Sequence, residues 1–449
     1  MSFNSLPFLF IFFPIFLVTY YLVPRAFQNA VLVIGSLIFY YVGVASYPWM
    51  VLLLAGEIVF TWLIGIALSG EKQRTWLLAI SEIVLFACLF LFKYDTLLIH
   101  RDLAFPLAIS FYTFQMAAYL FDVHRGKVRP ERNIITYSAG VLMFMKLLSG
   151  PIASWDSIFN QLRRRTYSWT SINEGLKDFI VGLSLKVLLA DSIGGIWSQI
   201  SNMGISAIST PMAWLGIIAY SLQLYFDFYG YSTMAIGLGR MLGFQLPVNF
   251  RHPYASKTMS EFWRRWHITL GAWFRDYIYI PLGGSRCSTG RMIFNTLVVW
   301  LFTGIWHGST LNFVIWGLFL FVLIMIEKLL IGKYLNQMYV LPHVYMFFAI
   351  VFSWMIFAIP NLSELGVYIT RLFGFSSGIV SPAVDFLPQL KTYWLFLLLG
   401  LIFCTPLPAK LWEKIRSQYW VAIPLLLLFW LCVYRMSIGL NDPFMYFSF

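Results

Sequence analysis

Two of the six histidines in this 449-residue chain stand where an imidazole is hardest to explain as surface polarity. His307 lies inside a long apolar run, Met292 to Ile326, in the stretch Gly304-Ile-Trp-His307-Gly308-Ser-Thr-Leu-Asn312. An ionisable group in such a run is costly to bury, turns towards protein, and marks a candidate functional site. The chemistry a neutral imidazole offers there is proton transfer. The plain alternative is a core histidine donating to a backbone carbonyl. The setting favours chemistry: Gly304 and Gly308 allow close backbone approach, while Ser309, Thr310 and Asn312 add hydrogen-bonding groups.

His267 is the second. Thr258-Met-Ser-Glu261 is a capping box that starts a helix near Met259, and the pattern extends it over 259–280. By 3–4 spacing Trp263, Trp266, His267, Leu270 and Phe274 share one face, with Glu261 and Arg265 in ion-pair register. An interfacial anchor at the lipid headgroups accounts for the arginines and tryptophans. It does not account for His267. Nearby, Arg275 and Asp276 form either a structural ion pair or part of a site for a phosphate-bearing donor. Asp227, an acid within an apolar span, requires a partner, and an arginine at the cytoplasmic side or Gln223 is the expected one. Trp306, Asn312, Arg275, Asp276, Asp227 and Gln223 are therefore the candidate substrate- or donor-binding residues around the two histidines.

These residues need a scaffold, and composition supplies its class. Hydrophobic residues make up 60% of the chain and charged residues 11%, less than half the roughly 25% usual in soluble domains. Apolar runs of about 20 residues recur, long enough to cross a hydrocarbon core. The expected class is an all-α polytopic membrane protein with about 10–12 transmembrane helices plus re-entrant and interfacial helices. A β-barrel would show short alternating segments. Four scattered cysteines with no CxxC exclude a zinc or disulfide framework, and no metal or bound cofactor is expected. The net charge of +12, with abundant tryptophan and tyrosine, suits an anionic leaflet and interfacial belts rather than nucleic acid. GxSxG, Walker, HExxH and GxGxxG signatures are absent.

Ten spans are expected, at 7–24, 29–46, 50–69, 75–92, 103–121, 177–199, 211–236, 340–360, 392–405 and 420–437. Basic loops orient them. Arg25, the loop at 71–74, the loop His124 to Arg132, and Asn249 to Arg291 fall on the cytoplasmic side, which puts both termini outside. Ile134 to Gly150 is expected to re-enter, because a full span would strand Arg163, Arg164 and Arg165 outside. Met292 to Ile326 is expected to form two half-length helices meeting inside the membrane, with His307 deep. The chain reads as one integral membrane domain over 1–449. N-terminal spans occupy 1–133, a core with the histidines 134–326, and C-terminal spans 327–449.

Several blocks resemble the membrane-bound O-acyltransferases. They are Arg251 to His267 with Trp273 to Arg286, Pro106 to Gln115, Ser149-Gly-Pro151, Asp227 to Gly237, Trp306-His-Gly308 with Trp316-Gly317, and Pro443 to Phe447. The resemblance is strongest to the bacterial branch that acetylates alginate, other polysaccharides and peptidoglycan. It implies a funnel-like helical fold, an acyl-transfer histidine at His307 and a second motif histidine at His267. It also implies an acyl thioester co-substrate (acetyl-CoA or an acyl carrier), a polysaccharide acceptor, and a partner exported SGNH-type acetyltransferase beside the lipid bilayer. The location implied is a bacterial inner or plasma membrane. Tyr229 and Thr233 depart from related sequences, so Thr233 receives no role. D-alanyl or lipid acyl transfer remains an alternative within the fold, and a transporter without chemistry remains one outside it.

Overall fold

The computed structural model describes residues 1–69, 74–100, 103–375 and 384–439, and all regular secondary structure among them is helical. Residues 71–73 of the charged loop and the terminal block 443–447 lie outside the described residues. Two compact units are formed, one from Met1–Ile180 with Tyr231–Val248, the other from Val181–Gly230 with Asn249–Phe449.

In chain order the principal helices begin with α1 Phe13–Leu22, α2 Gln28–Gly43, α3 Trp49–Leu68, α4 Thr75–Lys93 and α5 Ile109–His124. They continue with α6 Ile134–Leu142, α7 Trp155–Arg163, α8 Trp169–Ser184, α9 Asp191–Met203 and α10 Thr210–Met241. Next come α11 Met259–Arg265, α12 Ile268–Phe274, α13 Thr289–His307, α14 Leu311–Ile326 and α15 Leu341–Ala358. The last are α16 Leu362–Phe373, α17 Phe386–Phe403, α18 Leu407–Ile415 and α19 Ala422–Ser437.

Eight helical stretches among the described residues are long and apolar enough to cross a membrane, and the protein is a multi-pass membrane protein. They are Arg25–Gly43, Trp49–Leu68, Thr75–Lys93, Trp169–Met203, Leu311–Leu335, Leu341–Ala358, Phe386–Phe403 and Tyr419–Ser437. Seven coincide with expected spans. The three remaining expectations fall short for physical reasons. Phe8–Leu22 is too short, and α10 dilutes its apolar run with Ser221, Gln223 and Asp227. In α5 nearly every residue from Ile109 to Val123 is buried by protein, so its side chains need not be lipophilic.

Ile134 to Gly150 does not cross as one helix. α6 has nine residues, about 14 Å of rise. The chain breaks at Met143 (φ −27°, ψ 106°), earlier than the Ser149-Gly150-Pro151 signal. Phe144 N–H donates to Ser36 Oγ at 3.1 Å, and Lys146 Nζ donates to Gln115 Oε1 at 2.5 Å, so the N–H after the break and the lysine each find a partner within the first unit.

The larger correction concerns Met292 to Ile326. The two arms are not half-length: α13 has 19 residues, about 28 Å, and α14 continues through a wider turn at Glu327–Ile331. His307 is the last residue of the first arm. The arms touch backbone to backbone. A Cβ on Gly304 would lie 2.5 Å from Phe313 O, and one on Gly317 would collide with Trp300 O.

Candidate active site

The hairpin places His307. Trp306 packs on the imidazole at 4.6 Å between centroids, Trp316 meets it edge-on at 4.9 Å, and Phe357 of α15 closes a third side at 5.2 Å. The residue is 6% exposed. Asn312, the second residue of the return arm, fixes the hairpin to α15. Its Nδ2 donates to Ile356 O at 3.0 Å and Phe357 O at 3.2 Å, and its Oδ1 accepts from Thr310 at 2.6 Å. That amide is committed to the scaffold and is not presented as an oxyanion donor.

His267 is held differently. The capping box forms, with Glu261 N–H donating to Thr258 Oγ1 at 3.1 Å, and the Glu261–Arg265 ion pair closes at 2.5 Å. The Glu327 carboxylate adds a second cap by accepting from Ser260 N–H at 3.1 Å and from Met259 N–H. The helix then ends after seven residues. His267 adopts a left-handed conformation (φ 43°, ψ 55°), and α12 starts afresh at Ile268. The continuous helix expected over 259–280 is therefore two short helices and a wider turn at Arg275–Tyr279.

A side chain with a Cβ pays about 1–2 kcal/mol for this backbone geometry. The extended segment Asn249–Arg251 holds it. Arg251 N–H donates to Arg265 O and Ile268 N–H to Asn249 O, both at 3.0 Å, while Asn249 Oδ1 accepts from Thr269 N–H and Oγ1–H. Non-glycine residues in sparse backbone regions cluster at functional sites. The ring stands edge-on to Phe228 at 4.7 Å, and burial pushes its pKa down to about 3, so it is neutral.

Both histidines line one cavity of about 490 Å³. Thr296, Val299, Trp300, Thr303 and His307 form one wall along α13. From Thr296 to His307 that wall runs about 16 Å at the α-helical rise. The buried lining includes His267, His307, Trp266, Trp316 and Trp354, and the exposed lining includes Arg264, Arg275 and Lys328. No aspartate or glutamate lines it among the described residues. The cavity thus combines an apolar, histidine-bearing interior with cations where it is exposed.

The remaining candidates are dispersed. Arg275 lines the cavity and also makes a two-point pair with Asp276, at 2.7 and 3.1 Å. Trp306 touches His307 without lining the cavity. Asp227 and Gln223 lie away from it: Gln223 packs on Gly194, and Asp227 pairs with a residue the sequence reading passed over. Lys186 Nζ lies 2.6 Å from Asp227 Oδ1 and 2.5 Å from Asp191 Oδ1, with all three side chains at most 2% exposed. The expected arginine or Gln223 is not that partner. Lys186 and Asp191, five residues apart inside the apolar stretch 177–199, were the available signal. Asn249 gave none.

The pattern of the family described as MBOAT, membrane-bound O-acyltransferase, matches residues 37–368. The probable alginate O-acetylase AlgI of Pseudomonas aeruginosa is 36% identical over 406 residues, covering 84% of this chain and 76% of that protein. The peptidoglycan O-acetyltransferase of Helicobacter pylori is 32% identical over 368 residues, 70% of this chain and 68% of that protein. The teichoic acid D-alanyltransferase of Bacillus subtilis is 27% identical over 237 residues, 49% of this chain and 58% of that protein. A match that runs through both histidines and most of the helical chain, shared with proteins named for acyl transfer, makes this chain a member of the membrane-bound O-acyltransferase family and an O-acyltransferase.

Proposed function

We propose that the enzyme takes an acetyl group from a thioester donor at the cytoplasmic face and passes it outward for O-acetylation of an exported polysaccharide or cell-wall glycan. The convergence of His267 and His307 on a single cavity with a cationic exposed edge carries this reading. His307 acts as general base. It removes the acceptor hydroxyl proton as the oxygen attacks the thioester carbonyl, and it returns that proton to the departing thiolate, a role worth about 10²–10⁴-fold. The cations Arg264, Arg275 and Lys328 suit a donor whose thioester sits at the end of a long arm bearing phosphate. His267, neutral and fixed, orients the reacting groups from the facing wall.

Acetyl is preferred over D-alanyl on a physical ground. A D-alanyl thioester carries an ammonium, and the lining offers it three cations, one of them paired with Asp276, and no carboxylate. The acetylating relatives also match more of the chain than the D-alanylating one. Transport without chemistry loses its motive, because the arms expected as broken half-helices run 19 residues and, with the wider turn, 25 residues. In the proposed orientation the basic loops face the cytoplasm of a bacterial inner membrane, both termini lie outside, and an exported SGNH-type acetyltransferase completes delivery.

The test is His307→Ala in cells that O-acetylate the glycan. Extracellular acetylation is expected to fall at least 100-fold, with the protein still present in the membrane. Undiminished acetylation at normal protein levels overturns the assignment.

A further inference from the structure

We propose that Trp316, pinned by Ser353, sets the acyl length this enzyme accepts by closing the cavity behind His307 against groups longer than acetyl. The inference rests on the acyl-transfer reading above and adds the element that decides chain length.

Trp316 is fully buried and meets the His307 ring nearly at right angles, 4.9 Å between centroids and 87° between planes. Its indole N–H donates to Ser353 Oγ at 2.9 Å. Behind it Trp354 lies nearly parallel at 6.2 Å and Phe357 sits at 5.3 Å, and Trp354 leans in turn on Trp266 at 4.9 Å. On its other side Trp263 is edge-on at 5.6 Å. The ring therefore has aromatic support on several sides and one oriented hydrogen bond.

The backbone cannot relieve the restriction either. Gly317, the next residue, already touches Trp300 O so closely that no Cβ fits, so α13 and α14 cannot approach differently without loss of packing. Moving the indole aside would cost it the bond to Ser353 and leave a buried N–H among aromatic side chains.

A thioester bound for attack has three constraints. Its carbonyl carbon must lie within reach of His307, and its sulfur leads along the cavity towards the exposed cations. The alkyl side is then left facing the tryptophan wall. A methyl group fits against such a wall and gains apolar contact. Each methylene that a packed pocket cannot place costs about 10–200-fold in discrimination. No acid lines the cavity and the wall beside His307 is aromatic, so selection at that wall acts by size.

The experiment uses membranes from cells carrying the full chain with its native acceptor system, supplied with acetyl-, butyryl- or hexanoyl-coenzyme A. Thiol release is read as the excess over membranes carrying His307→Ala. The wild type is expected to favour acetyl over butyryl at least tenfold. Trp316→Ala is expected to reduce that ratio at least tenfold, with butyryl consumption rising in absolute terms, which a merely structural lesion would not produce. Should Trp316→Ala fail to accumulate, Trp316→Phe and Ser353→Ala carry the same test with a smaller shift in the same direction. An unchanged acetyl-to-butyryl ratio in variants that still consume acetyl overturns the proposal. Equal use of both donors by the wild type does the same. Consumption of neither donor beyond the His307→Ala level overturns the use of a coenzyme A thioester as donor, on which the proposal rests.

Discussion

His307 ends a 19-residue helix whose return arm lies against it in backbone contact, whereas His267 bridges two seven-residue helices in a left-handed conformation. The first is positioned by packing: glycines 304 and 317, a ring of aromatic side chains, and Asn312 fastened to α15. The second is positioned by a few hydrogen bonds from Asn249 and Arg251 that compensate an unfavourable backbone geometry. Packing spreads its support over many small contacts, so no single polar loss frees His307. A hydrogen-bonded break concentrates its support, and His267 is the more vulnerable of the two.

The sharpest way to probe that difference is to separate the His267 ring from its backbone. His267→Gly removes the imidazole and suits φ 43°, while His267→Ala removes the same ring and keeps the strain. Both variants should lose about 10²-fold in acyl transfer if the ring orients the reacting groups, comparable to the lower end for acid–base residues. The alanine variant should also be less stable than the glycine variant by about 1 kcal/mol, read from thermal unfolding in detergent. Wild-type turnover in the glycine variant would mean that the break matters and the ring does not.

The complementary change strikes the packed arm. Gly317→Ala drives a methyl into Trp300 O, and backbone cannot swing away as a flexible side chain can. Overpacking of this kind costs about 1–3 kcal/mol. Thermal stability should fall accordingly, with activity per folded molecule falling as His307 shifts. A stable, fully active Gly317→Ala protein would show that the arms separate easily, and would remove the rigidity attributed to His307.

The same contrast explains what the sequence disclosed. His307 was legible because its signals are local: an ionisable residue in an apolar run, flanked by glycines whose only plain use is close approach. The left-handed break at His267 was not, because Trp263, Trp266, Leu270 and Phe274 keep 3–4 spacing straight through it. No glycine or proline marks the break, and its stabilising partner Asn249 lies 18 residues away. The half-helix expectation failed for a related reason. The interruption at Trp306–Asn312 suggested a midpoint within the membrane, whereas the first arm has 19 residues and the second continues to Leu335. Spans of strongly apolar sequence were legible throughout, while α5, only 16 residues long, and α10, diluted by polar residues, are less distinctly membrane-crossing helices. For Asp227, the need for a partner was readable, but the choice of Lys186 depends on helix packing that brings residues 41 positions apart together.

The effect spread most gradually, over several pH units, concerns protons. Burial holds the His267 pKa at about 3, against 6.5 for an exposed histidine. The folded state therefore binds fewer protons than the unfolded state between those values, and stability must decline as pH falls through that window. The neutral ring's contribution is intact above pH 6.5 and is lost progressively towards pH 3, at no more than about 1.4 kcal/mol per pH unit. His267→Asn tolerates the left-handed backbone and has no such proton to bind. Unfolding midpoints of wild type and His267→Asn should thus run parallel above pH 7 and converge or cross between pH 6 and 4, the wild type falling faster. Parallel curves throughout that range would mean that water reaches the ring, and the desolvated, neutral His267 on which its proposed role depends would have to be given up.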